Sequence, residues 1–186
     1  MISTNDFKTG VTIEVEGNIY SVIEFQHVKP GKGGAFVRSR LRNLRTGAII
    51  DKTFNAGITI NTAMIEKAPM QYLYVDGENH VFMNNETYEQ VELNKSRIEN
   101  ELLYLTEGMT INIIFYGEEV LGLELPDKVV VEVIETAGSA RGNTASNAFK
   151  EALTNTGLKV LVPLFIEQGE KIIVSTSTGK YDTRAK

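Results

Sequence analysis

Ile19-Tyr20-Ser21-Val22-Ile23-Glu24-Phe25, running on to Val28, then Lys29-Pro30-Gly31-Lys32-Gly33-Gly34-Ala35-Phe36, then Val37 to Leu44, is the stretch that decides the fold. Its outer parts are rich in β-branched and aromatic residues, which suit a pleated, half-buried surface, so both read as strands. The middle is a hairpin tip. Pro30 fixes one φ angle, while Gly31, Gly33 and Gly34 allow backbone conformations closed to other residues. Lys32 is therefore expected to stand clear of the body on a slender stalk. Similar runs recur at Val11 to Val15, Tyr72 to Val75, Met109 to Phe115 and Val129 to Ile134. Thr46-Gly47, Asp76-Gly77, Tyr116-Gly117 and Thr178-Gly179 punctuate them at hairpin spacing. The expected class is all-β, in small barrels.

A helix is expected at residues 95 to 105, where Ser96 and Glu99 have capping-box spacing and Ile98, Leu102 and Leu105 share a face, with Gly108 beyond. A shorter helical turn is expected near Ser146 to Leu153. Domain boundaries fall at Ala68-Pro69 and Pro126-Asp127-Lys128, giving modules at 1–64, 65–127 and 128–186. Gly108-x-x-Ile-x-Ile-Ile-Phe and Gly157-x-x-Val-x-Val-Pro-Leu-Phe open similar runs in the second and third, a hint of duplication.

The chain has 186 residues, 42% hydrophobic and 23% charged, with no run approaching the roughly 20 apolar residues of a membrane span. No secretory signal is read at Met1 to Asp6, no membrane partner is expected, and a cytoplasmic location is. Without cysteine, disulfides and thiolate zinc sites are excluded, and His27 and His80 are too few for a metal site. No metal or cofactor is expected. Net charge is −5, unevenly spread: 8 Lys/Arg against 5 Asp/Glu in residues 1–64, 3 against 13 in 65–127, and 8 against 6 in 128–186. A polyanion would meet the two ends before the acidic middle.

The candidate chemistry lies around the glycine-rich tip. From Phe25 through Ile50 the charged residues are Lys29, Lys32, Arg38, Arg40, Arg42 and Arg45, all basic. In a strand Arg38, Arg40 and Arg42 share one face, a stripe of guanidiniums able to fork onto phosphate oxygens, while Val37 and Leu41 face the core. Backbone-tracking RNA contact fits better than base reading, since no exposed aromatic platform is evident beside the arginines. A phosphate-binding P-loop fits less well, since the Gly-x-x-x-x-Gly-Lys-Ser/Thr pattern is missing and the flanking elements read as strands rather than strand then helix. No nucleophile-and-base spacing or metal cluster points to an enzyme, and His27 reads as a hairpin-supporting residue.

Lys29-Pro-Gly-Lys-Gly-Gly-Ala-Phe-Val-Arg38, followed by Leu41-Arg-Asn-Leu-Arg-Thr-Gly47, resembles the first domain of the elongation factor P family. Gln71-Tyr-Leu-Tyr74 lies in the matching middle segment. Lys150-x-Ala152-x-x-x-x-Gly157-x-x-Val160-x-Val162-Pro163-x-x-Ile166-x-x-Gly169 is similar to the family's C-terminal signature. The match runs from Asn5-Asp-Phe7 to Tyr181-x-x-Arg184.

The resemblance implies a KOW or SH3-like domain followed by two OB-like domains, arranged as an L resembling transfer RNA. It further implies binding to the 70S ribosome and its rRNA between the peptidyl and exit sites, and promotion of peptide-bond formation at polyproline stalls. Lys32 would reach the acceptor end of the peptidyl-tRNA, commonly after extension by a lysine-modifying enzyme. Tyr181 and Arg184 would approach tRNA, and a monomer is expected. The family's exit-site loop is matched by Gly142, Asn143 and Thr144, with Asn143 where many members have Asp, which puts that contact in doubt. A paralogue of the factor, or a generic OB-type RNA-binding protein, is the alternative.

Overall fold

The computed structural model describes residues 1–138 and 148–186. Strands make up 56% and helix 6%, so the class is all-β as expected. The first sheet contains β1 (Ile2–Ser3), β2 (Thr12–Val15), β3 (Asn18–Val28), β4 (Phe36–Asn43), β5 (Ile49–Asn55) and β6 (Thr59–Thr62), in the order β1-β6-β2-β3-β4-β5. Its inward residues, among them Ile13, Val22, Val37, Leu41, Phe54 and Ile60, form one core with Phe7, which follows the 3-10 turn Thr4–Asp6. β4 alternates strictly, with Val37, Ser39, Leu41 and Asn43 buried and Arg38, Arg40 and Arg42 exposed, as the period of two requires. The buried Ser39 hydroxyl donates to the Lys52 carbonyl at 2.6 Å, which removes the cost of leaving it unpaired.

The second sheet contains β7 (Glu66–Asp76), β8 (Asn79–Met83), β9 (Gln90–Asn94), β10 (Thr110–Tyr116) and β11 (Glu119–Glu124), ordered β11-β10-β7-β8-β9. The third contains β12 (Lys128–Thr136), β13 (Phe149–Thr154), β14 (Lys159–Pro163), β15 (Lys171–Ser175) and β16 (Tyr181–Arg184), ordered β14-β13-β12-β15-β16. These two sheets share one plan. A long first strand takes the next two on one side and a later hairpin on the other. The glycine-led motifs expected to mark this duplication open β10 and β14, which hold different places in the plan. The repeat lies in topology, not in those strands.

By packing, the described residues form two compact units, Met1–Ala68 with Ile113–Gly122, and Pro69–Asn112 with Leu123–Lys186. In the first, Ile19, Ala63 and Leu121 are buried together, with Leu44, Ile65, Ile114 and Tyr116 packed around them. In the second, Val129, Val131, Val133, Val160, Val162, Ile166, Ile172 and Val174 are among the residues of one buried cluster.

The helix expected over 95–105 is two short 3-10 turns, Lys95–Arg97 and Glu101–Tyr104. Asn94, not Ser96, is the cap: its Oδ1 accepts the Ser96 amide at 3.0 Å and the Ser96 hydroxyl at 2.8 Å, so Ser96 is not left to form a capping box. Ile98 and Leu105 are buried, while Leu103 and Tyr104 pack on the third sheet's core. Short 3-10 pieces of this kind are common connectors. The helical turn expected near 146–153 is instead β13 from Phe149 onward, where pairing with β14 and β12 fixes an extended backbone. Ser146 and Asn147 lie outside the described residues.

Candidate nucleic-acid interface

The β3–β4 ladder pairs residues equidistant from Lys32: Val28 with Phe36, His27 with Val37, Gln26 with Arg38, and Glu24 with Arg40. Beyond the Val28–Phe36 pair, residues 29–35 form the tip. Lys29, Gly31, Lys32, Gly33 and Gly34 are exposed. The Ala56 amide donates to the Ala35 carbonyl at 3.0 Å and ties one side of the tip's base to the chain beyond β5. Gly33 has φ +98°, a conformation strained for any L side chain. At Gly31 and Gly34, by contrast, φ is unexceptional and an added Cβ would meet nothing within 4 Å. Within the tip, the backbone conformation thus requires glycine at Gly33 alone. Lys29 and Lys32 have no ion pair among the described residues. His27 is exposed, its ring edge-on to Phe25 at 5.6 Å.

The arginine stripe stands on the outward face of β4 but is not uniform. Arg38 lies over the half-buried Phe36 ring at 5.8 Å, so an aromatic does accompany the stripe. Arg42 sits across from Ser21 and Ile49 and has no ion pair among the described residues. Arg40 lies between two carboxylates, Glu24 at 3.7 Å and Asp51 at 3.4 Å. The run that is wholly basic along the sequence therefore acquires acidic neighbours across the sheet. Glu24, Gln26, Arg38, Arg40, Asp51 and Thr53 line a shallow groove of about 760 Å³ on this face. The sequence reading missed Glu24 and Asp51, although hairpin symmetry about Lys32 and about the turn after β4 marks both as partners of Arg40.

Arg45 is differently placed. Asn43 Oδ1 accepts the amides of Arg45 and Thr46, shaping the turn after β4. From it the Arg45 guanidinium forks onto Glu119 at 2.7 and 3.0 Å and donates to the Gly17 carbonyl at 2.8 Å. These bonds use the planar fork that phosphate would need. In the second unit, Tyr181 packs on the core, whereas Arg184 stacks over Phe165 at 4.5 Å and pairs with Glu170 at 3.3 Å. Gly142, Asn143 and Thr144 lie outside the described residues. Among the described residues there is no group of His, Asp and Glu able to hold a metal ion, and no helix is long and apolar enough to cross a membrane.

Three family models match in order along the chain. The elongation factor P KOW-like domain matches residues 3–60, the elongation factor P OB domain residues 65–123, and the elongation factor P C-terminal domain residues 129–184. The three sheets are consistent with these domain types, as expected from the sequence. Among solved structures, the eukaryotic translation initiation factor 5A from Methanococcus jannaschii is 23% identical, covers 65% of this chain and 86% of its own, and has a TM-score of 0.50. A translation initiation factor eif-5a family protein from Naegleria fowleri is 12% identical, covers 67% and 96% respectively, and also has a TM-score of 0.50. At these identities the likeness concerns the fold.

Proposed function

The chain belongs to the elongation factor P family, translation factors that associate with the ribosome and are not enzymes, and from that premise we propose that it acts at the peptidyl transferase centre through Lys32. In this reading the protein occupies the cytoplasmic 70S ribosome between the peptidyl and exit sites. The Lys32 tip touches the acceptor end of the peptidyl-tRNA, and the β4 face lies along RNA backbone. The observation that carries it is the joint placement of an exposed lysine at an open tip and exposed arginines on the strand that leads away from it.

Positioning is the chemistry this geometry can supply. Consecutive prolines are constrained, slow substrates that leave the peptidyl-tRNA poorly placed for attack. Orientation is worth ~7 to 11 kcal/mol in the best intramolecular models, and a factor that restores part of it need donate no catalytic group. The Lys32 ammonium can donate to phosphate or ribose oxygens, and Gly31 and Gly34, whose smallness the fold itself does not require, leave room for a close approach. Covalent lengthening of Lys32 by a modifying enzyme would extend its reach. β-Lysylation and aminopentanol attachment both suit a lysine, whereas rhamnosylation belongs to the arginine-bearing branch. A lysine at the tip also favours the factor itself over its paralogue.

The test is translation of a polyproline reporter in a reconstituted system. Lys32→Ala is expected to restore stalling while leaving a proline-free reporter unaffected. Unchanged polyproline synthesis by the variant would overturn the reading.

A further inference from the structure

Arg45 stands at the root of the Lys32 hairpin, where its guanidinium joins segments that are far apart along the chain. Gly17 immediately precedes β3 and Arg45 follows β4, the two strands that carry Lys32 at their other end. The Leu44 amide donates to the Ile19 carbonyl at 2.9 Å and closes that root. Asn43 Oδ1 accepts the Arg45 amide at 2.9 Å, and Gly47, at φ +77°, turns the chain back toward β5, so the backbone that delivers the guanidinium is fixed. The guanidinium donates to the Gly17 carbonyl at 2.8 Å and to both Glu119 oxygens, at 2.7 and 3.0 Å. Glu119 opens β11, which belongs to the second sheet.

Leu121, with Ile114 and Tyr116, packs the β10–β11 hairpin onto the cluster that contains Ile19 and Leu44. Apolar burial is non-directional and does not by itself set an angle. A planar bidentate fork fixes direction as well as distance. The angle matters because the hairpin is long: β4 alone, with 8 residues at ~3.3 Å each, spans about 26 Å. A tilt of about 5° at the root would move the far end of that strand by about 2 Å. Misplacement by ~1 Å can slow an oriented reaction ~100-fold. We propose that Arg45, through Glu119 and Gly17, is a positioning residue that aims Lys32, a proposal that rests on the reading of Lys32 given above. A phosphate-binding role would need the fork that Glu119 already fills.

The test titrates the full-length factor into reconstituted polyproline synthesis, as Glu119→Gln and as Arg45→Lys, which keeps the charge but loses the fork. Each is expected to lower the rate at saturating factor roughly tenfold while leaving the half-saturating concentration unchanged. The Arg45 and Glu119 side chains are 30% and 44% exposed, so thermal stability should barely move. The chain has no cysteine, and Gly34 has open space for a side chain, so spin labels at Gly34→Cys and Glu118→Cys can report the aim of the tip directly. Glu119→Gln should broaden the distance distribution between them. An unchanged distribution overturns the proposal, as does a full rate in both variants where Lys32→Ala stalls. Tighter ribosome binding by Glu119→Gln at an intact rate would overturn it too, because a freed phosphate ligand behaves in that way. If Lys32→Ala itself has no effect, the reading of Lys32 has failed and the distance distribution alone decides whether Arg45 aims the hairpin.

Discussion

Replacing the carboxylates beside Arg40 separates a masked cation from a free one. Arg40 lies 3.7 Å from Glu24 and 3.4 Å from Asp51, and all three side chains are about half or more exposed. Such pairs are worth roughly 0–1 kcal/mol, so Glu24→Gln with Asp51→Asn should barely alter folding stability. Its effect should appear in binding. Each cation that neutralises a phosphate adds ~0.7–0.9 to the slope of log affinity against log salt, which is roughly a threefold change in affinity between 50 and 200 mM monovalent salt. Freeing Arg40 should therefore strengthen binding at low salt and steepen the slope by nearly one unit. Removing Arg38 and Arg42, which lack carboxylate partners among the described residues, should flatten it by about twice as much, an attenuation of roughly 7- to 12-fold over the same range. Anisotropy of labelled protein titrated with ribosomes carrying peptidyl-tRNA, at several salt concentrations, measures both. If freeing Arg40 leaves affinity and slope unchanged, the masking argument is wrong; if removing Arg38 and Arg42 does so, β4 does not contact phosphate.

Leu41 is fully buried in the first core, so Leu41→Ala should cost about 2–5 kcal/mol by urea denaturation; a loss below 1 kcal/mol would mean that the site collapses around the cavity. Gly33→Ala forces a side chain into φ +98° and should cost about 1–2 kcal/mol, whereas Gly31→Ala and Gly34→Ala should leave stability unchanged in the same measurement. His80 is buried with its Nδ1 2.8 Å from the Tyr72 hydroxyl, and burial, then the charge of Lys95, holds its pKa below the ordinary value of about 6.5. The unfolded chain takes up that proton first, so the urea midpoint should hold above about pH 6.5 and fall as pH drops below it, and His80→Gln should flatten the fall; a midpoint that rises on acidification contradicts the assignment.

Much of this protein was legible because its signals are local. Alternation along Phe36 to Asn43 gave the buried and exposed faces of β4, and Pro30 with its glycines marked the tip. The 3-10 turns at 95–104 were misjudged because apolar spacing alone does not show that Leu103 and Tyr104 serve a second surface beside the positions of Ile98 and Leu105. The state of each arginine was likewise hidden. Glu24 and Asp51 were recoverable from hairpin register, but the capture of Arg45 by Glu119 joins positions 74 residues apart, and no nearby residue type announces it. Phe149, expected in a helical turn, is a strand residue because β13 pairs with β14, a partner that its local sequence does not show. By itself the sequence determined the strands, the exposed lysine and the family, because backbone preference and side-chain alternation act over a few residues. Which cations stay free, and which strands pair, only the tertiary structure decided, because charge and pairing depend on distance in space and a folded sheet brings together residues that the chain keeps apart.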